Sequence, residues 1–383
     1  EAGVPAAALQ LLPGRGETVG AALVADARVC GVMFTGSTEV AALINRKLAE
    51  RGGNVPLIAE TGGQNALIVD STALPEQVVA DVLASAFDSA GQRCSALRVL
   101  CLQDDIADGV LHMLRGALDE LRLGDPTDVR VDIGPVIDAE ARAGLEAHVA
   151  TMQGRGARVT RLPLPADCAR GNFVAPTIIE IGALSELGRE QFGPILHVLR
   201  YRAAALDGLI DAINASGYGL TMGVHTRIDE TVERIASSAH VGNLYVNRNI
   251  IGAVVGVQPF GGEGLSGTGP KAGGPLYLHR LLARTPGPAL LDGALAVSEG
   301  KETRAADTAL DGFLAWLDGA GRGLVEGDEF TVLRDRADAC RARRISGLRL
   351  ALPGPTGEDD SLRFTRSEEL RVGKEGRSRW SPY

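Results

Sequence analysis

The sequence lacks the features that mark membrane-spanning, secreted and nucleic-acid-binding proteins. No apolar run approaches the ~20 residues that a membrane-spanning helix needs, and no basic stretch followed by an apolar one marks a secretory signal at the start. The net charge is −9, and no long block of Lys and Arg stands out before the last residues. We therefore expect no transmembrane segment and no nucleic-acid contact from this chain.

Cysteine and histidine are also sparse. The chain has five cysteines, an odd number with no CxxC pair, and its six histidines are scattered without the spacing of metal ligands. This pattern argues against a disulfide framework and against a zinc site. We expect reduced thiols, a cytoplasmic protein and no metal. Cys30, Cys101 and Cys168 lie in or beside apolar stretches, where a free cysteine acts as a small apolar filler.

What the chain does have is an alternation of apolar and amphipathic segments. At about 150 residues per domain, a length of 383 residues predicts two or three domains. Apolar runs at 31–34, 55–60 and 66–69 predict strands, and the segment 39–51 predicts a helix capped by Thr38. This spacing predicts an α/β fold with parallel crossovers. Further helices are predicted at 75–90, 104–121, 138–153, 205–215, 229–238 and 303–318, and further strands at 97–102, 157–160, 195–201 and 243–247.

Two residues are candidates for nucleophilic and acid–base chemistry. Cys94 lies in a polar, glycine-containing loop beside Arg93, where positive charge and backbone N–H groups would favour its thiolate. The alternative is that Cys94 is another small filler. Glu60 ends an apolar strand, and α/β proteins place ligands at the carboxyl ends of strands. A dry setting there would raise the pKa of Glu60, as a general base needs; the alternative is a surface glutamate.

Two turns are candidates for binding a nucleotide. Phe34-Thr35-Gly36-Ser37 joins a predicted strand to a helix N-terminus, a geometry that receives phosphates through backbone N–H groups and the helix dipole. Only one glycine is present, so this signal is weak by itself. Glu190 and Phe192 precede another strand. A ribose would hydrogen-bond Glu190 while Phe192 packs on a ring; the alternative is an ordinary capped turn.

Five motifs are far more specific together than any one alone. FTGST, ETGGQNALIVD, FDSAGQRCSALRV, EQFGP and PFGGEGLSGTG occur in an order and spacing that resemble the aldehyde dehydrogenase superfamily. More narrowly, GQRCSALRVL and PFGGEGLSGTGPKAGGPLYLHRLLA are similar to the glutamate-semialdehyde (1-pyrroline-5-carboxylate) dehydrogenase part of the bifunctional proline utilisation A family. The resemblance covers residues 1–290 and continues more thinly to ALPGPTGE at 351–358. It implies an incomplete Rossmann-type NAD domain, an α/β catalytic domain and a C-terminal extension.

The resemblance assigns roles to the matching residues. It implies that Cys94 attacks the aldehyde carbon, that a hydride leaves for NAD, and that Glu60 activates water to hydrolyse the resulting thioester. The NAD-binding positions that it implies are Phe34, Thr35, Gly36, Ser37, Thr61, Gly62, Glu190 and Phe192. The positions implied for the α-carboxylate of L-glutamate γ-semialdehyde are Arg93, Ser95, Ser266, Gly267 and Thr268. A cation, a hydroxyl and the backbone of a glycine-rich loop suit a carboxylate. The resemblance further implies a homo-oligomer, and FAD only in a proline dehydrogenase half upstream of this chain.

The chain also departs from the family pattern. It begins with Glu1 rather than Met, and it contains neither the Pro-Trp-Asn segment that holds the oxyanion-hole Asn nor the Lys motif for the adenine ribose. We interpret it as N-terminally truncated. Because loss of one oxyanion donor typically costs ~10²–10³ in rate, we expect little dehydrogenase activity from the chain alone. Two alternatives stay open: an inactive fragment that keeps interaction surfaces at 240–365, and an enzyme for another aldehyde.

The expected domain boundaries follow from the motifs. The expected segments are the C-terminal part of a NAD-binding domain (1–60), a catalytic domain (61–258), a substrate-anchor loop with a return segment (259–290), a C-terminal extension (291–365) and a tail (366–383). The tail has almost no apolar periodicity and resembles vector-derived sequence. We therefore exclude it from the functional interpretation.

Overall fold

A computed structural model of the chain describes residues 3–53, 55–282, 302–304, 308–324, 327–343 and 347–364. The chain forms two compact units. The first comprises Glu1–Gly252 with Gly261–Gly269, and the second comprises Ala253–Phe260 with Pro270–Tyr383. The glycine-rich loop Gly261–Gly269 thus belongs to the first unit, whereas the domain boundaries expected from the sequence placed it in a separate segment at 259–290. The predicted tail at 366–383 lies outside the described residues.

The first unit contains eleven described strands and seven described α-helices. The strands are β1 (Val32–Thr35), β2 (Leu57–Glu60), β3 (Ala66–Val69), β4 (Val99–Gln103), β5 (Arg158–Arg161), β6 (Thr177–Ile181), β7 (Ile195–Tyr201), β8 (Tyr218–Gly219), β9 (Thr221–His225), β10 (Asn243–Val246) and β11 (Glu263–Gly264). The helices are α1 (Ala21–Ala25), α2 (Thr38–Arg51), α3 (Pro75–Phe87), α4 (Asp104–Asp119), α5 (Ala139–Gly154), α6 (Leu206–Ala215) and α7 (Asp229–Ser238).

A seven-stranded sheet in the order β10-β9-β3-β4-β7-β6-β5 organises this unit. All of its neighbouring pairs are parallel except β5 with β6. Every residue of β3, β4 and β9 is buried, as expected for central strands of a parallel sheet covered on both faces. The α/β prediction is confirmed. Two strands of this sheet, β6 and β9, were not predicted. Pro176 interrupts the apolar run before β6, and Gly223 and His225 interrupt the one in β9.

A small parallel sheet of β1 and β2 accompanies the large one. Its register places Thr35 opposite Glu60, so the two carboxyl ends lie side by side. Helix α2 forms the crossover between the two strands and buries Ala41 and Leu48. The sequence-predicted strand–helix–strand unit is therefore present, and it carries candidate residues at one edge.

Apolar side chains at helical spacing hold the helices against the large sheet. Helix α4 buries Ala107, Val110, Leu111, Leu114 and Leu118, the single stripe typical of a helix on a core. Cys101 on β4 and Cys168 are buried too, which agrees with their predicted role as fillers, whereas Cys30 is exposed.

The second unit has its own antiparallel sheet of β12 (Glu302–Arg304), β13 (Leu348–Leu352) and β14 (Asp360–Arg363), with helices α8 (Thr308–Asp318) and α9 (Asp328–Arg343). The helix predicted at 303–318 begins later, because Glu302–Arg304 pair with β13. Along α8, Leu314 and Leu317 are buried. Among the described residues of both units, no helix is long and apolar enough to cross a membrane.

Candidate active site

A strained loop presents Cys94. After α3, Ser89, Ala90 and Gly91 have φ angles of 57°, 54° and 65° in succession, the left-handed region that costs non-glycine residues free energy. Gly91 is required here, because a Cβ at this position would lie 2.3 Å from the carbonyl oxygen of Gly193. The loop reverses direction and places a half-buried Cys94 just before β4.

Arg98 holds this loop from beneath. Its guanidinium is buried (2% of the side chain is exposed). It donates to the carbonyl oxygens of Gly91 (2.7 Å), Gly193 (3.2 Å) and Arg93 (3.1 Å) and, through Nε and Nη2, to Glu190 Oε1 (3.2 and 2.9 Å). One side chain therefore ties the nucleophile loop to the loop of Glu190. Arg98 is not among the residues predicted from the sequence, although its single charge inside the apolar segment SALRVL was a usable signal.

The electrostatics of Cys94 differ from the prediction. Burial raises the pKa of its thiol; the N–H groups of Ser95 and Cys94 itself counter this, and the carboxylates of Glu190 and Glu60 raise the pKa further. The Arg93 cation is not among the groups that lower the pKa of this thiol, and its Nε donates to Ser89 Oγ (3.0 Å). The thiol is therefore mainly protonated at neutral pH and needs a proton acceptor to react.

Glu60 lies where two sheets approach the same site. It ends β2 at the carboxyl edge of the small sheet, while Cys94 and Glu190 precede β4 and β7 at the amino edge of the large one. Glu60 is half-buried, its Oε2 accepts from Gly262 N (3.3 Å), and its backbone pairs with Gly267. Because its charge acts on the Cys94 thiol, Glu60 belongs to the site and is not an isolated surface residue.

Glu190 and Phe192 form the opposite wall. Burial raises the pKa of Glu190, which the Arg98 guanidinium opposes. The Glu190 Oε2 covers the Cα of Gly62 so closely that a Cβ there would lie 1.7 Å away. Phe192 is 46% exposed, and the Arg98 guanidinium carbon lies 5.3 Å from its ring centre, a cation–π distance. A carboxylate beside a half-exposed ring suits a ribose and its attached base.

The predicted phosphate turn has the expected strand–turn–helix geometry. Ser37 rather than Thr38 caps α2, since Ser37 Oγ accepts from Val40 N (3.3 Å). The Thr38 hydroxyl instead donates to the Leu265 carbonyl (3.2 Å). Gly36 N donates to the Glu60 carbonyl (3.2 Å), which places the N-terminus of α2 beside the end of β2. An N-terminus of this kind fits an anion such as a pyrophosphate, and Phe34 and Thr35 lead into it.

Three hydroxyls that the sequence predicts to bind ligands form hydrogen bonds within the fold. Ser266 is fully buried and its Oγ accepts from Gly219 N (3.0 Å). Thr268 Oγ1 accepts from Ala59 N (2.9 Å), and the buried Thr61 hydroxyl donates to the Leu265 carbonyl (2.5 Å). These contacts fasten the glycine-rich loop to β2 and β8. Each hydroxyl thus has a partner inside the fold, and the ligand-binding roles of Ser266, Thr268 and Thr61 stay predictions.

Ser95, the remaining anchor candidate, is buried next to Cys94, and its carbonyl accepts from Thr221 Oγ1 (3.2 Å). The structure thus brings together Cys94, Glu60, Glu190 and Phe192, with Arg93 and Ser95 flanking the cysteine. Among the described ranges, no group of three or more His, Cys, Asp or Glu side chains could hold a metal ion.

Comparison with known sequences identifies similar proteins. The aldehyde dehydrogenase family profile matches residues 1–285. The bifunctional protein PutA of Salmonella typhimurium is 59% identical over 385 residues, which cover 97% of this chain and 28% of that protein. A 1-pyrroline-5-carboxylate dehydrogenase of Geobacillus sp. is 37% identical over 284 residues, covering 73% of this chain and 54% of that protein. The chain thus spans less than a third of the length of its PutA relatives.

Solved structures give the same result for the fold. A crystal structure of bifunctional proline utilization A superposes with a TM-score of 0.70 and 58% identity over 73% of this chain and 28% of that one. The 1-pyrroline-5-carboxylate dehydrogenase from Thermus with bound NAD superposes with a TM-score of 0.63 and 36% identity over 70% of this chain and 52% of that one.

Proposed function

Because the chain belongs to the aldehyde dehydrogenase family, we propose that it supplies the thioester chemistry for NAD-dependent oxidation of L-glutamate γ-semialdehyde to L-glutamate, the second step of proline degradation. The observation that carries this proposal is the convergence of Cys94 with the Glu60 and Glu190 carboxylates, both of which act on its thiol. The PutA and 1-pyrroline-5-carboxylate dehydrogenase relatives support the choice of substrate.

Cys94 is the nucleophile in this proposal. The thiol proton passes to solvent water, the sulfur bonds to the aldehyde carbon, and the electron pair of the C=O π bond moves to the carbonyl oxygen, which gains the negative charge. The Cys94 backbone N–H stabilises that oxyanion. A bound NAD would supply the hydride acceptor for the same carbon, and loss of that hydride would leave a thioester on Cys94. Glu60 then takes a proton from water, the water oxygen bonds to the acyl carbon, and the thiol leaves as the product acid forms.

The residues fit the cofactor at two places. The N-terminus of α2, capped by Ser37 and entered through Gly36, suits the pyrophosphate. Glu190 is held by Arg98 with its carboxylate over Gly62, and Phe192 exposes part of its ring beside it, so the pair suits the nicotinamide ribose. The bound NAD of the Thermus relative supports this choice.

Recognition of the substrate carboxylate falls to the residues beside the nucleophile. Arg93 is half-buried, and its guanidinium donates to the neutral Ser89 hydroxyl, so a carboxylate would be a stronger partner for it. The Ser266 and Thr268 hydroxyls are engaged elsewhere. We therefore assign the carboxylate to Arg93 and Ser95, with the Gly267 backbone beside Glu60.

The test is a first-turnover measurement, because we expect slow steady-state turnover from a chain without a Pro-Trp-Asn segment. The chain is mixed with semialdehyde and NAD, and NADH is followed by its absorbance. We expect about one NADH per chain, none with Cys94→Ala, and an unchanged yield with Cys101→Ala, which removes a buried thiol on β4. NADH from the Cys94→Ala variant would refute the proposal.

A second measurement tests substrate recognition. Arg93→Gln removes the cation beside the nucleophile, and we expect it to weaken use of the semialdehyde about tenfold or more. Oxidation of propionaldehyde, which has no carboxylate, serves as the control and should change little. Equal losses of activity with both aldehydes would show that Arg93 does not recognise the carboxylate. That result would favour the alternative that the enzyme acts on another aldehyde.

A further inference from the structure

Asn65 makes an unusual set of contacts with the nucleophile loop. It directly precedes β3 and is 3% exposed. Its amide nitrogen donates to the carbonyl oxygens of Cys94 (2.7 Å) and Ala96 (2.8 Å), and its amide oxygen accepts from Thr221 N (3.1 Å). All three of these hydrogen bonds join the side chain to backbone groups. One of them fixes the Cys94–Ser95 peptide beside the reactive sulfur, and another fixes the peptide that follows Ala96.

The geometry of a peptide links this contact to the thiol. The Cys94 carbonyl and the Ser95 N–H belong to one planar trans peptide, so they point in opposite directions. Because Asn65 holds the Cys94 carbonyl, the Ser95 N–H faces the other way, and it lowers the pKa of the Cys94 thiol. Without Asn65 the peptide plane is free to rotate, since no other described donor to this carbonyl is present.

The neighbouring carbonyls are held by different groups. The Arg93 carbonyl accepts from Arg98 and from Ala96 N (3.0 Å). The Ser95 carbonyl accepts from Thr221 Oγ1. The peptide fixed by Thr221 contributes the Ala96 N–H, which turns to Arg93 and not to the sulfur. Of the contacts that fix this loop, the one from Asn65 therefore acts on the peptide that donates to the thiol.

We propose that Asn65 is a positioning residue for Cys94: its amide fixes the Cys94–Ser95 peptide so that the Ser95 N–H points at the sulfur and stabilises the thiolate. This inference rests on the proposed function in taking Cys94 as the nucleophile. Asn65 is not among the residues that we assign to the substrate or the cofactor. If it only closed the start of the sheet, its loss would lower stability without changing the acidity of the thiol.

The experiment measures the thiol directly. Alkylation of Cys94 by iodoacetamide is followed against pH, and the tryptic peptide Cys94–Arg98 separates this thiol from the exposed Cys30 and Cys340. For Asn65→Ala we expect the pH profile to move about one unit toward alkaline pH, and the rate near neutral pH to fall about tenfold. Asn65→Ser keeps one donor on a shorter side chain, and its alkylation profile should shift in the same direction. This variant provides the test if the alanine variant does not fold.

Thr221→Val is the matched control. It removes a hydrogen bond from the same loop but from the peptide that does not donate to the sulfur. We expect its alkylation profile to stay within about twofold of the unaltered chain. The proposal is overturned if the folded Asn65 variants keep the unaltered profile, or if Thr221→Val shifts it equally. Because alkylation needs neither NAD nor aldehyde, this outcome is separate from the NADH test of the proposed function.

Discussion

The strongest energetic prediction concerns Arg98. Its five N–H donors all have partners, and it neutralises a Glu190 carboxylate that is only 14% exposed. Arg98→Met would remove the cation beside that carboxylate and the donors to the carbonyl oxygens of Gly91, Gly193 and Arg93, of which the last two keep a backbone donor each. Breaking a buried ion pair from one side typically costs about 3–5 kcal/mol. That loss is a large fraction of the about 5–15 kcal/mol that stabilises a domain, so we expect a strongly lowered urea midpoint.

The assay is urea unfolding followed by far-ultraviolet circular dichroism, with two comparisons. Arg234→Met removes an arginine that also pairs with a carboxylate, Asp207, but both side chains are more than half exposed, and we expect a loss of about 0–1 kcal/mol. Adding Glu190→Gln to Arg98→Met removes the uncompensated charge and should recover part of the loss. An Arg98→Met loss as small as that of Arg234→Met, or losses that simply add in the double variant, would refute the reasoning.

The remaining predictions concern acid stability, the loop backbone and the glycine-rich loop. Burial lowers the pKa of His197 from 6.5 to about 3 and that of His225 to about 4. As the pH falls below 6.5, the unfolded chain therefore binds protons at both histidines before the folded chain does. The free energy of unfolding should then decrease by up to about 2.7 kcal/mol per pH unit. A urea midpoint that does not change with pH in this range would contradict this. Gly91→Ala should cost more than about 1 kcal/mol because of its left-handed φ and close carbonyl, whereas Gly109→Ala, in open space on a helix, should raise the melting temperature slightly. Ser266→Ala should lower the free energy of unfolding, measured with urea, by about 1 kcal/mol and leave the preference between aldehydes unchanged. A changed preference would support the predicted role of Ser266 as a substrate anchor.

Local patterns predicted much of the α/β framework. The strand at 195–201 and the helix at 229–238 occur with the predicted bounds. Apolar residues dominate the strand despite His197 and Arg200, and Val232 and Ile235 follow helical spacing. Strands β6 and β9 were not predicted, because Pro176 precedes one and Gly223 and His225 interrupt the apolar pattern of the other. Pairing with neighbouring strands stabilises both.

The site was predictable only in part. Motif order placed Cys94 and Glu60 together, and the structure brings them into one electrostatic environment. The single charge of Arg98 in an apolar segment was a signal for that residue. Its link to Glu190 and the link of Asn65 to Thr221 were not predictable, because these partners lie far along the chain. The effect expected from Arg93 failed for the same reason, since adjacency in sequence did not direct its side chain toward the sulfur.

The most direct test of the thioester mechanism is a trapping measurement with Glu60→Gln. This variant keeps a side chain of the same size but removes the carboxylate that would activate water. After reaction with semialdehyde and NAD, we predict about one NADH per chain and a lasting acyl mass increase on the peptide Cys94–Arg98. An acyl group on another residue, or NADH formed with no adduct on Cys94, would contradict the assignment of Cys94 as nucleophile and Glu60 as base.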